Sequence, residues 1–229
     1  MLKLYIGNKN YSSWSMRPWV LMKQADIAFE EIMVRFDAFT ADSQFKQRLG
    51  KLSPAGKVPV LVNRDLVVWD TLAIAEYVAE SHPEKKLWPA DIAARARARS
   101  ICAEMHAGFN ALRGACMMNI EADLKQVGQI IQRDRADVRS DLARVDEMWS
   151  ELLSSHGGPM LFGHFTVADA YFAPVCMRIS GYGLNVSPAV AGYVERVKAL
   201  PGVVAWMEAA LAEKDFLDFE EPYRLNPEA

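Results

Sequence analysis

Apolar positions alternate at the start of the chain. Leu2, Leu4 and Ile6 are interleaved with Lys3, Tyr5 and Gly7, the period-two pattern of a strand with one buried face, so a strand is predicted over 2–7. A polar stretch then runs to Ser15 and gives way to Trp19, Val20, Met22 and Lys23. Pro18 lacks an N–H and suits the first turn of a helix, which sets a helix start between Ser13 and Arg17 and an end near Asp26. The run 29–34 reads as a second strand. Residues 36–52 are polar with no clean period, and only a short helix over 43–49 is predicted there. Two β-branched runs, 57–62 and 66–69, flank Asn63, Arg64 and Asp65, the pattern of a hairpin with a short polar turn. Asp70 and Thr71 are cap-forming residues ahead of Leu72, Ile74, Ala75, Tyr77 and Val78, which predicts a helix over 72–81 stopped by Pro83.

Beyond Pro89 the strand signals vanish. Residues 90–155 contain no proline and carry helical spacing rich in alanine, arginine and glutamate. Met105, Phe109 and Arg113 fall on one face of a continuous helix at that spacing. Gly157, Gly158 and Pro159 break the pattern, Thr166 and Asp169 form a capping pair before a helix over 170–179, and Pro201-Gly202 separates two further short helices. The tail from residue 220 reads as irregular. The order β-α-β, loop, β-β-α followed by helices alone is that of an α/β thioredoxin-like N-terminal domain, residues 1–82, and an all-α C-terminal helical domain, residues 90–229.

Composition narrows the partners. With 51% hydrophobic residues among 229, the chain can bury two ordinary cores. Lys and Arg total 26 against 29 Asp and Glu, so no positive excess exists to follow a nucleic-acid backbone or an anionic membrane face. The opening residues lack the basic-then-apolar signature of a secretory signal, and no uncharged apolar run approaches the ~20 residues that span a bilayer. A cytoplasmic protein is expected. Cys102, Cys116 and Cys176 are an odd, widely spaced set without Cys-x-x-Cys, which suits reduced thiols packed in the core. His106 and His164 have no ligand-like spacing, and no metal is assigned.

Three strings then occur in a telling order. Ser12-Ser13-Trp14-Ser15-Met16-Arg17 follows the first strand, Pro54-Ala55-Gly56-Lys57-Val58-Pro59-Val60-Leu61 leads into the hairpin, and Asp70-Thr71-Leu72-Ala73-Ile74-Ala75-Glu76-Tyr77 opens the next helix. The first resembles the Ser-Ser-Cys-x-Trp-Arg string of zeta-class glutathione transferases. The second and third resemble the loop, third strand and third helix found throughout the cytosolic glutathione transferases, and Phe165-Thr166-Val167-Ala168-Asp169 resembles that family's capping box. The resemblance covers nearly the whole chain. Trp14 stands where the zeta class has cysteine and Met16 where it has tryptophan.

The resemblance implies an enzyme that binds glutathione as co-substrate, keeps its thiol ionised and adds it to a small electrophile, with a role in detoxification. Lowering a thiol from about 8.5 by about two units needs about 2.7 kcal/mol. A hydrogen bond to a charged acceptor contributes roughly 1.5–3 kcal/mol and a helix N-terminus about 0.3–1, so one hydroxyl beside a helix start is enough. The resemblance puts Ser12 first for that hydroxyl and Ser13 second, and Tyr5 and Tyr11 compete because several classes use tyrosine. It also gives Val58 the cysteinyl backbone contact next to a cis Val58-Pro59 bond, Asp70 and Thr71 the γ-glutamyl end, and Gln44 and Lys57 the glycyl end. Capping, core packing or surface exposure accounts for each of these residues without glutathione. Arg113 and Arg178 can receive an anionic substrate or form exposed salt bridges.

The family resemblance further implies a homodimer meeting through the helices over 72–81 and 90–114. Glu76 and Glu80 on the first, and Arg95 and Arg99 on the second, are rows of like charge at i, i+4 spacing that an isologous interface can pair. Two alternatives to the transferase stand: a non-catalytic relative serving as a binding or regulatory module, and a glutathione-dependent cis-trans isomerase of the maleylacetoacetate type.

Overall fold

The computed structural model describes residues 1–226. The opening alternation forms β1 (Leu2–Ile6), with Leu2, Leu4 and Ile6 buried and Lys3 exposed. It occupies the interior of a four-stranded sheet in the order β2-β1-β3-β4. β2 (Phe29–Met33) runs parallel to β1 from Leu2↔Phe29 to Ile6↔Met33, as a pair joined by a crossover helix must. β3 (Val60–Asn63) is antiparallel to β1, with Leu2 opposite Asn63 and Tyr5 opposite Val60. β4 (Leu66–Trp69) closes the hairpin, and because Asn63 pairs with Leu66 the turn is Arg64-Asp65 alone, with Arg64 in the left-handed region (φ 55°).

The crossover helix α1 (Ser13–Gln24) packs on α3 (Thr71–Ser81) and on two helices of the second half, α8 (Val167–Gly181) and α10 (Pro201–Glu213). Every residue from Ser15 to Met22 is therefore buried, a helix enclosed on all sides having no polar face to show. α2 (Gln44–Gly50) starts where the Ser43 hydroxyl accepts the Lys46 N–H. After a 3₁₀ turn at Pro83–Lys85 come α4 (Ile92–Ala107), α5 (Asn110–Ala115), α6 (Lys125–Asp134), α7 (Ala136–His156), α8, α9 (Pro188–Lys198) and α10. One apolar core runs unbroken from Leu2 on β1 to Trp206 on α10. A smaller cluster of Tyr11, Val34, Phe36, Phe45 and Leu49 lies under the loop before α2.

α8 is the axis of the helical half, buried from Val167 to Ile179. Its start is the expected capping box. Asp169 accepts from the Thr166 N–H (2.8 Å) and hydroxyl (3.1 Å), and also from the Leu161 N–H (3.1 Å) and the Tyr193 hydroxyl (2.9 Å). The Gly157 break is a left-handed C-cap of α7 (φ 58°), and Pro201 starts α10. The three cysteines are buried and unpaired by disulfides, and burial raises all three thiols.

Four expectations are corrected. Pro18 lies in the second turn of α1, not the first, so the helix does without the bond its N–H would have made to the residue four before it. β3 begins at Val60, three residues later than the apolar run, because Pro59 just before it has no N–H to give to the ladder. The stripe of Met105, Phe109 and Arg113 is not one helix face. α4 ends at Ala107, Phe109 is left-handed (φ 55°), and Arg113 sits on α5. The Arg113 Nη1 group donates to the His106 and Gly108 carbonyls (3.3 and 3.2 Å) exposed by that break. Finally, Glu76 and Arg99 pair with each other inside the chain at 2.7 and 3.0 Å, and Arg97 pairs with Glu151 (2.8 Å). Those charges do not wait for a second subunit. The tail is turns from residue 221 to 226, and residues 227–229 of the expected helical domain and tail lie outside the described residues.

Candidate active site

The loop between β1 and α1 is pinned from both halves of the molecule. The Asn8 side-chain oxygen accepts the Phe36 N–H (2.7 Å), and that of Asn10 accepts the N–H groups of Ile120 and Glu121 (2.7 and 3.0 Å). The Ser15 hydroxyl oxygen accepts the Gly7 N–H (3.1 Å) and the Ser12 hydroxyl hydrogen (2.8 Å). This fixes Ser12 as the residue before α1 and Ser13 as its first residue, the end of a helix where unpaired N–H groups favour negative charge.

Both serines line a cavity of about 610 Å³ between the N-terminal loops and the helical half. Lys46, Lys57 and Val58 form one wall, Arg113 and Arg178 the other. Phe36, Phe39 and Phe45 supply an apolar end with mutual ring-centroid distances of 5.0–5.9 Å. Glu220 from the tail also faces the cavity. Burial and the adjacent Glu221 push its carboxyl up to about 7.

The two arginines of the helical wall belong to a group of three. Arg178 is buried on α8, where Nε donates to the Cys116 carbonyl (2.7 Å), Nη1 to the Pro174 carbonyl (3.2 Å) and Nη2 to the Ser13 hydroxyl oxygen (3.3 Å). The Arg17 guanidinium stacks on the Trp14 and Tyr171 rings, 4.2 Å from each centroid, and that of Arg113 lies 4.8 Å from the Trp14 ring. Arg17 Nε and Nη1 find no acceptor among the described residues. None of the three is ion-paired there, with distances to every described carboxylate above 4 Å. Burial lowers Arg17 and Arg178 to about 10, helped in Arg178 by the nearness of Arg17 and Arg113. Both therefore stay charged at neutral pH.

The other anticipated residues are placed unevenly. Asp70 caps α3, its carboxylate accepting the Leu72 N–H (2.9 Å), and its second oxygen stands 3.4 Å from His106 Nε2. The Thr71 hydroxyl shares a hydrogen with the Tyr171 hydroxyl (2.7 Å), which is 3.0 Å from His106 Nδ1. The His106 ring meets Trp14 edge-on at 5.1 Å. Asp70 and Thr71 thus sit one side chain outside the cavity lining. Gln44 is exposed at the start of α2, its N–H donating to Asp37 (2.8 Å), and does not line the cavity. Lys46, two residues on, does, and no spacing rule singled it out. The Tyr11 hydroxyl donates to the buried Glu221 carboxylate (2.7 Å), and burial raises its pKa. Tyr5 is not part of the lining.

Family models for the glutathione S-transferase N-terminal domain match residues 11–81, and those for its C-terminal domain match residues 128–209. The chain belongs to the glutathione S-transferase family. A probable maleylacetoacetate isomerase of Caenorhabditis elegans is 28% identical over 81% of this chain and 82% of its own length. Glutathione S-transferase 1 of Dianthus caryophyllus is 25% identical over 81% of each. The crystal structure of a glutathione transferase homolog from Burkholderia gl BGR1 with bound glutathione superposes with a TM-score of 0.69 at 24% identity, covering 91% of this chain and 97% of that one. Among the described residues no helix is long and apolar enough to cross a membrane.

Proposed function

We propose that this chain is a glutathione transferase that holds the glutathione thiolate at a serine hydroxyl and adds it to a small electrophile in the cavity's second half. The observation that carries the reading is the convergence of Ser12 and Ser13, the cis Val58-Pro59 loop and Lys57 on one cavity. The Ser12-Ser13 corner takes the thiol. The backbone of Val58 pairs with the cysteinyl unit, Lys57 and Lys46 attract the glycyl carboxylate, and Asp70 with Thr71 holds the γ-glutamyl end, Asp70 taking the ammonium and the Thr71 N–H the carboxylate. Gln44 contributes at most from the rim. Residues 1–82 serve as the glutathione-binding domain and 90–229 as the substrate-binding domain, in a cytoplasmic homodimer whose interface does not need the Glu76–Arg99 pair.

Titration calorimetry with glutathione and turnover of a chlorinated aromatic test substrate check the reading together. Binding with turnover supports it. Binding without turnover, whichever electrophile is offered, assigns the chain instead to the non-catalytic relatives, and absence of binding overturns the glutathione site itself.

The guanidinium groups of Arg113 and Arg178, without an ion-pair partner among the described residues, favour a second reading, the isomerase of the maleylacetoacetate type, because a substrate with two carboxylates meets two fixed cations there. Turnover of such a substrate at a KM well below that of a neutral analogue distinguishes it.

A further inference from the structure

Resting on the transferase reading, we infer that Arg178 is a positioning residue for the thiolate: held from behind by two carbonyls, it fixes Ser13 so that the Ser13 hydroxyl hydrogen points at the glutathione sulfur. The guanidinium is planar, so the bonds from Nε to the Cys116 carbonyl and from Nη1 to the Pro174 carbonyl also fix where Nη2 points. It points at the Ser13 oxygen, 3.3 Å away.

A guanidinium only donates. Ser13 therefore accepts from Arg178 and keeps its own hydrogen for another partner, and the hydroxyl lines the cavity. The Ser12 hydrogen is already directed to the Ser15 oxygen, and Tyr11 is committed to Glu221. Of the hydroxyls at this corner that line the cavity, those of Tyr11, Ser12 and Ser13, that of Ser13 has the one hydrogen without a partner among the described residues. Accepting a bond from a cation polarises the hydroxyl and strengthens it as a donor.

The charge acts as well. Arg178 has no carboxylate within ion-pair distance among the described residues, and Arg17 and Arg113 reinforce its field. A buried cation without a counter-ion stabilises an anion placed beside it. When glutathione binds, its S–H bond ionises, the proton leaves to solvent, and the sulfur keeps the electron pair while accepting the Ser13 hydrogen.

The test is a pH titration of the bound thiol in the binary complex, followed by the ultraviolet absorbance of the thiolate, with no electrophile present. The wild-type midpoint should lie well below the value of about 8.5 of a free thiol. Arg178→Gln and Ser13→Ala should each raise it by about one unit, a loss of roughly 10-fold in thiolate fraction at low pH. The double variant should add little to either, and Arg178→Lys should recover part of the shift. Because Arg178 also ties down two carbonyls, Ser13→Ala and Arg178→Lys carry the test if Arg178→Gln does not fold. A lowered wild-type midpoint that Ser13→Ala leaves unchanged overturns this inference alone. So does an Arg178 variant that alters the KM for a carboxylated electrophile while the thiol midpoint stays put, since the arginine would then serve the second substrate. A wild-type chain that binds glutathione with an unperturbed thiol overturns the serine-thiolate reading beneath it.

Discussion

The two walls of the cavity hold positive charge in opposite ways. Lys57 is exposed on the loop before β3, and Lys46, half-buried on the short helix α2, gives its Nζ to the Gly56 carbonyl (2.9 Å). Arg113 and Arg178 are held by carbonyls on helices, and Arg178 is buried. A flexible ammonium in water is screened within about 8–10 Å and adapts to its ligand. A desolvated guanidinium acts through a lower effective dielectric and keeps one direction. The first wall suits capture of a peptide carboxylate, and the second suits a fixed electrostatic task at the reacting atoms.

The largest way to break this contrast is to unseat the helical wall. Asp169 is fully buried and receives four hydrogen bonds, from Leu161, Thr166 (twice) and Tyr193, and it starts the helix that carries Arg178. Asp169→Ala leaves those donors without an acceptor, and a loss of about 3–5 kcal/mol is expected in urea unfolding. A loss under about 1 kcal/mol would mean that α8 is fixed by apolar packing alone, and that Arg178 owes its aim to something other than the capping box.

The contrast also explains what could be read along the chain. The strands, the hairpin, α3 and the capping box follow from local signals: period-two alternation at Leu2, Leu4 and Ile6, the polar turn at Arg64-Asp65, the cap at Asp70 and the Thr166–Asp169 pair. Ser12, Ser13, Lys57 and Val58 were reachable because their strings sit on contiguous loop sequence. Arg113 and Arg178 were candidates too, as receivers of an anionic substrate, but the burial of Arg178 and its tie to Ser13 were not legible. Arg178 lies in a helix buried on every side, where no amphipathic stripe marks a special face, and its partners Cys116 and Ser13 are 62 and 165 residues away. The same distance hid the tie between Asp70 and His106, and the in-chain pairing of Glu76 with Arg99 across 23 residues. The break at Gly108 gave no composition signal. A Cβ there would approach the Glu104 carbonyl oxygen to 2.8 Å, a clash that only the folded turn reveals.

A medium effect is expected at the γ-glutamyl end. Asp70→Asn keeps a side-chain oxygen to cap α3 but removes the charge proposed to hold the ammonium. Glutathione affinity should fall by about 10-fold or more, the worth of one charge-assisted hydrogen bond, with unfolding changed by under about 1 kcal/mol. Equal affinities by calorimetry would remove Asp70 from the clamp and leave it as a cap that meets His106.

A smaller effect sharpens the contrast between walls directly. Lys57→Ala should weaken glutathione binding by about two- to five-fold at low ionic strength, and raising salt should shrink the difference, because an exposed cation is screened. The thiol midpoint shift caused by Arg178→Lys should change little over the same salt range. If both respond to salt alike, burial does not separate the two walls.

An effect of comparable size concerns the tail that joins the walls. The Tyr11 hydroxyl and the Asn119 side chain donate to Glu221, Arg224 pairs with it at 2.6 Å, and the Tyr223 hydroxyl donates to the Ala115 carbonyl. Phe219 meets Phe39 edge-on at 5.3 Å. This latch holds Glu220 at the cavity, where burial and Glu221 raise its carboxyl to about 7 from an ordinary 4.5. The folded chain then binds the Glu220 proton more tightly than the unfolded chain does. Between pH 4.5 and 7 the folded state holds more protons, so the contribution of this group to stability declines as pH rises through that window and is at its least favourable above 7. Glu220→Gln removes the charge and with it the decline. The variant should match the wild type at pH 5 and exceed it by about 1 kcal/mol at pH 8, a figure kept small because the carboxyl is partly solvated. Other titrating groups are shared by both proteins and cancel in the difference. Urea unfolding of the pair at the two pH values gives the answer: a difference that does not grow toward pH 8 would show that the tail admits enough water to keep Glu220 an ordinary carboxylate, and that the latch is looser than its hydrogen bonds imply.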